Sequence, residues 1–406
     1  MNQRLLTSSR EVTRDNAPNQ RPGWDILDNA LKKYLSAELA RGTISVEIDR
    51  SLMPPDATFG FAERINPKRS FLFASKLLGR HSPVRPSLMR KTYKLLADQI
   101  SPDLEGPILF IGMAETAVGL GAGVHQQYSE QYDRHDTVYI CTTRHALGLP
   151  LICEFQEEHS HAPEHLVHWP LVPVLVSMVK NARTLVLIDD EASTGKTFGN
   201  LFAALPASIR SNLRNTVLVT LTDWSDGAVE QIIAANVKRA SILSGRYRWD
   251  ANGLNIDAPE VPSVEKNRGK VISPDRDINL ARLGVSRHHL QLDGEAASSG
   301  ATLVLGTGEN IWQPFLLAEK LELEGANVHY SSVTRSPISV GHAIVTKLAF
   351  EDNYGGHVFN YLYNVVPSEY VKILLCSETS EANISSKLMH FLERVSLVRP
   401  KRVPPH

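Results

Sequence analysis

Two adjacent carboxylates followed by small and hydroxyl-bearing residues form the stretch of this sequence best suited to chemistry. Asp189 and Asp190 stand directly before residues 191–197, which read Glu-Ala-Ser-Thr-Gly-Lys-Thr. Ionised aspartates only accept hydrogen bonds, so the pair suits the neighbouring hydroxyls of a ribose. The backbone N–H groups and hydroxyls that follow suit a phosphate monoester. We therefore expect this stretch to hold a 5-phosphoribosyl group at both ends.

The residues on either side predict a strand, a tight loop and the start of a helix. Residues 185–188 are four consecutive apolar residues, which indicates a strand buried on both faces of a parallel sheet. A helix can begin at Phe198 and continue to Leu205. The positive end of its dipole would then point at the bound phosphate.

Two other interpretations of the stretch stay open. Gly195-Lys196-Thr197 ends like a nucleotide-binding P-loop, but that pattern needs glycine at position 190, where Asp190 would repel phosphates. An ordinary strand-to-helix turn with capping residues is the other interpretation. Capping alone does not explain the paired acids.

The stretch resembles the thirteen-residue signature with which type I phosphoribosyltransferases bind 5-phosphoribosyl-1-pyrophosphate (PRPP). Four apolar residues, two acids and small residues with Thr, Gly and Thr carry the resemblance, and the Gly-Lys-Thr ending is similar to purine-salvage members. Glu191 replaces a usually apolar residue. Ser193 stands where the oxopurine enzymes carry a catalytic Asp, which argues against purine-salvage chemistry. The resemblance implies an α/β fold like that of orotate phosphoribosyltransferase, with a Rossmann-like parallel sheet.

The resemblance also gives roles to the residues of the stretch. Asp189 and Asp190 are expected to be catalytic and to hold the ribose hydroxyls. Two acids beside a polyphosphate favour a hard, oxygen-bound cation, so the same pair is predicted to hold Mg²⁺ directly or through water. The 5-phosphate is expected on Ala192, Ser193, Thr194, Gly195, Lys196 and Thr197.

A second loop follows another apolar segment, residues 108–111, which predicts a buried strand. In phosphoribosyltransferases the corresponding loop holds pyrophosphate, and the resemblance implies that role here. The loop consists of Gly112, Met113, Ala114, Glu115 and Thr116. The glycines at 119, 121 and 123 fit an alternative in which they only allow close packing of a helix on the sheet.

Arg144 follows a third predicted strand, residues 137–142. A guanidinium makes forked contacts to phosphate oxygens, so Arg144 suits pyrophosphate. The orotate enzymes that the chain resembles carry an Arg at the corresponding strand end. A surface salt bridge is the alternative role.

A cluster of cations lies upstream, in residues 60–86, and includes Asn66-Pro67-Lys68-Arg69. A rigid Asn-Pro turn favours an anion clamp that covers the substrate. A solvated basic face explains the same charges.

Histidines and carboxylates are concentrated between Cys153 and Trp169. The position corresponds to the flexible catalytic loop of orotate-type enzymes, which makes the segment a predicted lid. His159 or His161 would protonate the leaving pyrophosphate or shield the reacting centre from water. A metal site is the alternative, but no pair matches the H-E-x-x-H template.

The second half of the chain repeats the order of these motifs. A strand at 303–305 leads to Gly306-Thr307-Gly308-Glu309, and a helix and strand then lead to Thr334-Arg335-Ser336-Pro337. A further strand at 371–375 takes the place of the signature strand but lacks the acid pair and Gly-Lys-Thr. We therefore expect a degenerate half-site, with a packing role for this domain as the alternative.

The two-part pattern resembles the proteins of bacterial tellurite-resistance gene clusters in which a phosphoribosyltransferase is followed by a TRSP domain. In that family the expected role is the synthesis of a nucleoside-like metabolite under stress. The TRSP motifs would be Gly306, Thr307, Gly308, Glu309, Thr334, Arg335 and Ser336.

Composition excludes several classes of protein. Net charge is −1 over 406 residues, so no basic surface indicates nucleic acid or an anionic membrane as partner. The three cysteines have neither disulfide nor zinc spacing, and neither a signal peptide nor an apolar run of membrane-spanning length is evident. We expect a cytoplasmic protein. Its oligomeric state is open, with a homodimer as one option.

The predicted domain organisation has five parts. Residues 1–22 form a leader, 23–245 the phosphoribosyltransferase domain, 246–275 a linker, 276–395 the TRSP-like α/β domain and 396–406 a tail. The predicted reaction joins a nitrogen of a base-like acceptor to PRPP with release of pyrophosphate. A PRPP- or nucleotide-sensing regulator of the same fold is the main alternative, and a kinase is a third. The sequence does not identify the acceptor.

Overall fold

The computed structural model describes residues 33–66, 68–156, 164–233, 236–254, 280–292, 299–355, 358–393 and 395–398. Strands and helices alternate along the first part of the chain. The strands are β1 (Lys33–Leu39), β2 (Gly42–Ser51), β3 (Phe59–Glu63), β4 (Phe71–Ser75), β5 (Ile108–Gly112), β6 (Thr137–Cys141), β7 (Leu151–Gln156), β8 (Glu164–His168), β9 (Thr184–Ala192), β10 (Asn215–Asp223) and β11 (Asn236–Ala251). The helices are α1 (Pro55–Thr58), α2 (Pro86–Ala97), α3 (Ala117–Gln131), α4 (Pro173–Lys180), α5 (Lys196–Ala204), α6 (Ala207–Arg210) and α7 (Ala228–Ile232).

The first domain is built on a mixed sheet with the strand order β1-β2-β11-β10-β9-β5-β6. The five strands from β11 to β6 are parallel, and β2 and β1 extend the sheet in antiparallel fashion. Counted along the chain, the parallel strands lie in the order 2-1-3-4-5. The topological switch point of this order lies between β5 and β9, where doubly wound sheets bind ligands outside the carboxyl ends of their strands.

Strand β9 extends further than the sequence predicts. Its pairing with β5 ends at Ile188 opposite Gly112, but its pairing with β10 continues to Ala192 opposite Asp223. Both predicted acids therefore lie in the strand, not in the loop after it. Helix α5 also begins at Lys196, two residues before the predicted start. Beyond Ile188 the side of β9 that faced β5 opens into a crevice.

The second domain repeats this plan on a smaller scale. Its elements are β12 (Thr302–Gly306), α8 (Trp312–Leu323), β13 (Val328–Ser332), β14 (Lys347–Glu351), β15 (Phe359–Tyr363), β16 (Lys372–Cys376), α9 (Ser386–Leu392) and β17 (Val395–Val398). The parallel sheet β13-β12-β16-β17 has the chain order 2-1-3-4, and β14 and β15 form a separate antiparallel pair. The α/β fold with a second, smaller parallel-sheet domain is as predicted.

The two domains share one hydrophobic core. Helix α8 packs against α2 and α3 of the first domain as well as against its own sheet. Tyr93 on α2 meets Phe315 on α8 edge to face, with ring centroids 5.4 Å apart. A Cβ added at Gly119 of α3 would lie 2.7 Å from Ile311 of the second domain. Gly119 thus allows close packing between the domains, whereas Gly121, whose added Cβ would lie 2.7 Å from Tyr139 of β6, allows the close packing on the sheet that the packing alternative expects.

Two features bear on earlier expectations about the chain. Strand β11 continues to Ala251, so the domain boundary predicted at residue 245 falls inside a strand. Among the described residues, no helix combines the length and the apolar character needed to cross a bilayer.

Candidate active site

A cavity of about 660 Å³ lies at the switch point of the first sheet. Its walls come from the ends of β5 and β9, from β4 and β11, and from the second domain. The predicted site residues that line it are Ala114, Glu115, Thr116, Arg144, Asp189, Asp190, Ala192, Ser193, Thr194, Gly195, Lys196, Thr197, Thr334, Arg335 and Ser336. The structure therefore brings four separately predicted groups of residues to one place: the loop after β5, Arg144, the signature stretch and the Thr-Arg-Ser segment.

Asp189 and Asp190 are half-buried and face the cavity beyond the end of β5. Asp189 Oδ1 accepts hydrogen bonds from Thr116 Oγ1 at 3.2 Å and from the backbone N of Asp190 at 2.9 Å. The first contact ties the acid pair to the loop after β5. Within the described ranges, no three His, Cys, Asp or Glu side chains are grouped as a metal site. Mg²⁺ in proteins commonly uses only one or two carboxylates together with substrate phosphates and water, and this pair fits that donor set.

The loop between β9 and α5 has the shape of an anion site. Gly195 adopts φ +71°, a left-handed conformation that favours glycine, and is the N-cap of α5. The turn lets the first amides of α5 point back towards the cavity, where the helix dipole is positive. Thr194 and Lys196 are exposed at its mouth. The loop can thus accept a phosphate from solvent.

Glu191, which departs from the phosphoribosyltransferase signature, has a partner within the cavity wall. Arg69 Nη2 lies 2.6 Å from Glu191 Oε1, and its guanidinium lies 4.6 Å from the ring centroid of Phe71. Burial lowers the pKa of Arg69, but the charge of Glu191 and its hydrogen bond outweigh that effect and raise the pKa above its ordinary value. Arg64, Lys68 and Arg69 line the cavity, as the clamp interpretation requires.

One wall of the cavity is aromatic, and sequence analysis missed it. Phe71 lies 5.2 Å from both Tyr247 and Trp249, measured between ring centroids. All three line the cavity. Tyr247 and Trp249 lie in the range predicted as a linker, so their alternation along β11 was not used as a signal. Trp224, which follows β10, is buried, does not line the cavity and is stacked on Phe73 at 4.6 Å.

The loop after β5 divides its residues between cavity and core. Ala114, Glu115 and Thr116 line the cavity, whereas Gly112 and Met113 are buried and are not among the lining residues. The Glu115 carboxylate lies 3.2 Å from Arg80 Nη1 and 3.2 Å from Arg335 Nε. Arg80 is 2% exposed and lies in the predicted clamp segment. Arg80 therefore holds the loop after β5 in place without lining the cavity itself.

Arg144 is buried, not on the surface as the salt-bridge alternative required. Its Nη1 donates to the backbone O of Glu164 at 2.8 Å and its Nη2 to the backbone O of Ala114 at 3.1 Å. Its backbone N donates to Glu309 Oε1 at 2.7 Å. These contacts fix the guanidinium at the cavity wall.

His159 and His161 lie outside the described residues. The described residues of the predicted lid segment, between Cys153 and Trp169, mostly belong to the antiparallel pair β7 and β8, so this part of the segment is a regular hairpin. His165 on β8 is fully buried, with Nδ1 2.8 Å from Thr142 Oγ1 and its ring stacked on Phe155 at 4.5 Å. His165 therefore belongs to the scaffold.

The motifs of the second domain go to two places. Thr334, Arg335 and Ser336 reach the cavity of the first domain. Gly306, Thr307, Gly308 and Glu309 instead lie at the switch point of the second sheet, between β12 and β16.

A buried ion network closes that second switch point. Arg282 Nε lies 3.0 Å from Glu309 Oε2, and Arg282 Nη1 lies 2.8 Å from Glu378 Oε2. Burial alone would raise the pKa of Glu309, but Arg282, His145 and hydrogen bonds from Thr143 and Arg144 lower it to about 2. Arg282 was not predicted as a functional residue, because nothing in its local sequence marks it.

Comparisons with known proteins agree with this architecture. A family model described as phosphoribosyl transferase matches residues 58–246, and one described as the TRSP domain C-terminal to that transferase domain matches residues 278–393. A search of curated proteins finds no match to the chain.

Solved structures with a similar fold include several phosphoribosyltransferases. Adenine phosphoribosyl transferase from Trypanosoma brucei, in complex with AMP, pyrophosphate and ribose-5-phosphate, is 13% identical with a TM-score of 0.33, covering 46% of this chain and 77% of that one. The Thermoanaerobacter pseudethanolicus adenine enzyme is 13% identical with a TM-score of 0.31, covering 46% and 96%. Orotate phosphoribosyltransferase from Aeropyrum pernix is 18% identical with a TM-score of 0.25, covering 43% and 80%.

These structural similarities are low, and the assignment depends on the family models, which match both domains in the order seen in the structure. The first domain belongs to the phosphoribosyl transferase family, and the second belongs to the TRSP family that follows this transferase domain.

Proposed function

We propose that the enzyme transfers the 5-phosphoribosyl group of PRPP to a nitrogen atom of a small base-like acceptor and releases pyrophosphate. One observation carries the proposal: Asp189, Asp190, residues 192–197 and Arg144 line a single cavity at the switch point. The cavity thus offers separate groups for the ribose, the 5-phosphate and the pyrophosphate.

In this reaction the bond from C1 of the ribose to the pyrophosphate oxygen breaks, and a bond from C1 to the acceptor nitrogen forms. The transition state resembles an oxocarbenium ion, and negative charge builds on the leaving pyrophosphate. Asp189 and Asp190 hold the ribose hydroxyls, and the amides at the start of α5 hold the 5-phosphate. Arg144 and the loop from Ala114 to Thr116 hold the pyrophosphate.

Mg²⁺ held by Asp189 and Asp190 would neutralise charge on the pyrophosphate when bound. This role fits the half-buried, cavity-facing carboxylates. Arg144 is fixed by its contacts to backbone carbonyls, so it needs no reorganisation as charge develops.

The aromatic wall favours a flat, heterocyclic acceptor. Phe71, Tyr247 and Trp249 line the cavity together with the acid pair. Aromatic side chains stack on bases with little geometric penalty. A nucleoside-like product of a stress-linked pathway is consistent with such an acceptor, and three buried free cysteines support a reducing cytoplasm as the location.

The test measures pyrophosphate release from PRPP and Mg²⁺ with a panel of purine, pyrimidine and smaller heterocyclic bases. Asp190→Asn removes one charge at nearly constant shape, and turnover should fall at least about 10²-fold without loss of folding. Asp226→Asn is the matched control, because Asp226 follows the neighbouring strand but is exposed and pairs with Arg246. The control should keep wild-type turnover.

A fully active Asp190→Asn variant would refute the assignment. PRPP binding by calorimetry without pyrophosphate release for any base would instead support a sensor of the same fold.

A further inference from the structure

The two domains exchange equivalent contacts across their interface. Glu115 follows β5 of the first domain, and its carboxylate binds Arg335 of the second domain at 3.2 Å. Glu309 follows β12 of the second domain, and its carboxylate accepts from Thr143 Oγ1 at 2.6 Å and from the backbone N of Arg144 at 2.7 Å. Each glutamate therefore binds the Thr-Arg segment of the other domain.

The surroundings of the two glutamates are also repeated. Each one pairs with a buried arginine, Arg80 for Glu115 and Arg282 for Glu309. The backbone N of Thr142 donates to Gly112 O at 2.9 Å, and the backbone N of Val333 donates to Gly306 O at 3.1 Å. The loops thus leave their sheets with the same local geometry. The two domains therefore contact each other through equivalent segments: the loop after the first strand of each sheet meets the Thr-Arg segment of the other domain.

Arg335 occupies the position in the second domain that Arg144 occupies in the first. Both arginines follow the strand next to the first strand of their sheet, β6 and β13, and both line the same cavity. Over the whole cavity lining, five arginines and two lysines outnumber four carboxylates. The local charge therefore favours an anion.

Two contacts hold Arg335 in position. Its Nε pairs with Glu115, and its Nη2 donates to His145 Nε2 at 3.1 Å. Burial, with help from Arg335, lowers the pKa of His145 to about 3, so the imidazole is neutral and can accept this bond. A guanidinium fixed at two nitrogens is pre-organised for a phosphate group.

We propose that Arg335 of the second domain binds the pyrophosphate end of PRPP together with Arg144, so that the second domain completes the substrate site. The inference rests on the proposed function, because it concerns the same cavity. Thr334 and Ser336 form the adjoining wall.

The test is calorimetry of the full chain in magnesium buffer with three ligands: PRPP, inorganic pyrophosphate and ribose 5-phosphate. Arg335→Gln should weaken PRPP and pyrophosphate about 10- to 100-fold, the range expected for a lost charge-assisted hydrogen bond. Ribose 5-phosphate should bind within about twofold of wild type, because it lacks the group that Arg335 contacts. Arg335→Lys keeps the charge but not the fork, and should weaken pyrophosphate less than Arg335→Gln does.

Arg90→Gln is the matched control. Arg90 makes a two-point ion pair with Glu319 across the same domain interface, with Nε–Oε1 2.6 Å and Nη2–Oε2 2.7 Å, but it does not line the cavity. All three ligands should bind this variant as they bind wild type.

Each other outcome has a distinct meaning. Wild-type pyrophosphate affinity in Arg335→Gln, or in Arg335→Lys should the first variant not fold, overturns the inference and leaves the proposed function intact. An equal loss in Arg90→Gln also overturns it, because domain docking would then explain the effect. A wild-type chain that binds neither PRPP nor pyrophosphate refutes the proposed function itself.

Discussion

The switch points of the two sheets lie at the same place in the strand order, but one is an open cavity and the other is filled by side chains. The first lies between β5 and β9 and opens into a cavity of about 660 Å³. The second lies between β12 and β16 and is filled by protein. Tyr354 covers Gly308, where an added Cβ would lie 2.4 Å from the tyrosine oxygen.

The difference follows from which groups each loop presents. The first has the acid pair and a glycine turn into α5, which suit a ribose phosphate. At the second, Glu309 faces the first domain, and Glu378 accepts hydrogen bonds from Arg282 and Tyr354. The second switch point therefore holds contacts between the domains where the first holds a cavity. Substitutions of the acid pair at the first point should therefore alter catalysis, and those of the buried ion network at the second should alter stability.

The largest expected effect on stability is at Glu309. Glu309→Gln removes a buried charge that Arg282 and two hydrogen bonds stabilise, and breaking a buried pair costs about 3–5 kcal/mol of unfolding free energy. Because the folded-state pKa of Glu309 is lowered to about 2, this stabilisation is lost as pH falls from about 4 towards 2. Urea denaturation at pH 7 and pH 3 should show the difference from wild type shrinking.

Glu324→Gln is the control, since Glu324 is half-exposed and pairs only weakly with Lys320 at 3.7 Å. Equal stability of Glu309→Gln and wild type at pH 7 would contradict the idea that the buried ion network holds the domains together.

A smaller effect concerns His145 at the domain interface. Burial lowers its pKa to about 3, so the unfolded state binds a proton below about pH 6.5 that the folded state does not. Stability therefore falls as pH drops, by about 2 kcal/mol at pH 5 from this group alone. His145→Gln cannot titrate, so its unfolding free energy should change less between pH 7 and pH 5. Identical pH dependence in the two proteins would show that His145 is protonated when folded.

Gly195→Ala tests the first switch point. The left-handed φ of +71° costs a non-glycine residue about 1–2 kcal/mol, and the new Cβ would lie 2.4 Å from Val229 Cγ2. Gly325→Ala separates the cost of the left-handed backbone from the cost of the clash, because Gly325 has φ +95° but no atom lies within 4 Å of an added Cβ. Thermal denaturation should show a larger loss for Gly195→Ala. Equal losses of stability in the two variants would mean that the loop shifts to make room for the new methyl group.

The smallest effect is expected at the rim of the interface. Arg85 is about half-exposed and lies 3.6 Å from Glu322. Exposed ion pairs contribute at most about 1 kcal/mol, so Arg85→Gln should lower the unfolding free energy by less than about 0.5 kcal/mol. A loss comparable to that of Glu309→Gln would show that rim charges, not the buried ion network, hold the domains together.

Local sequence predicted the parts of the site that depend on neighbours along the chain. The acid pair, the glycine turn and the Gly-x-x-Glu and Thr-Arg repeats are contiguous motifs, and the structure places them at strand ends. The length of β9 was wrong, because its continuation to Ala192 depends on pairing with β10, which local composition does not record.

The remaining parts depend on contacts between distant residues. Arg80 and Arg282 are buried only because a glutamate from a distant loop compensates each charge. The aromatic wall needs the β3–β4 pair to pack against β11, because Phe71 lies on β4 and Tyr247 on β11. No periodicity within one segment indicates such pairings.

The shared core also affects how the chain can fold during synthesis. When the ribosome has completed β11, every strand of the first sheet has been made, yet the side of α2 that carries Tyr93 still lacks Phe315 as its cover. Domains otherwise tend to fold as they emerge. Here the N-terminal unit would wait, with apolar surface open to chaperones, until α8 leaves the exit tunnel.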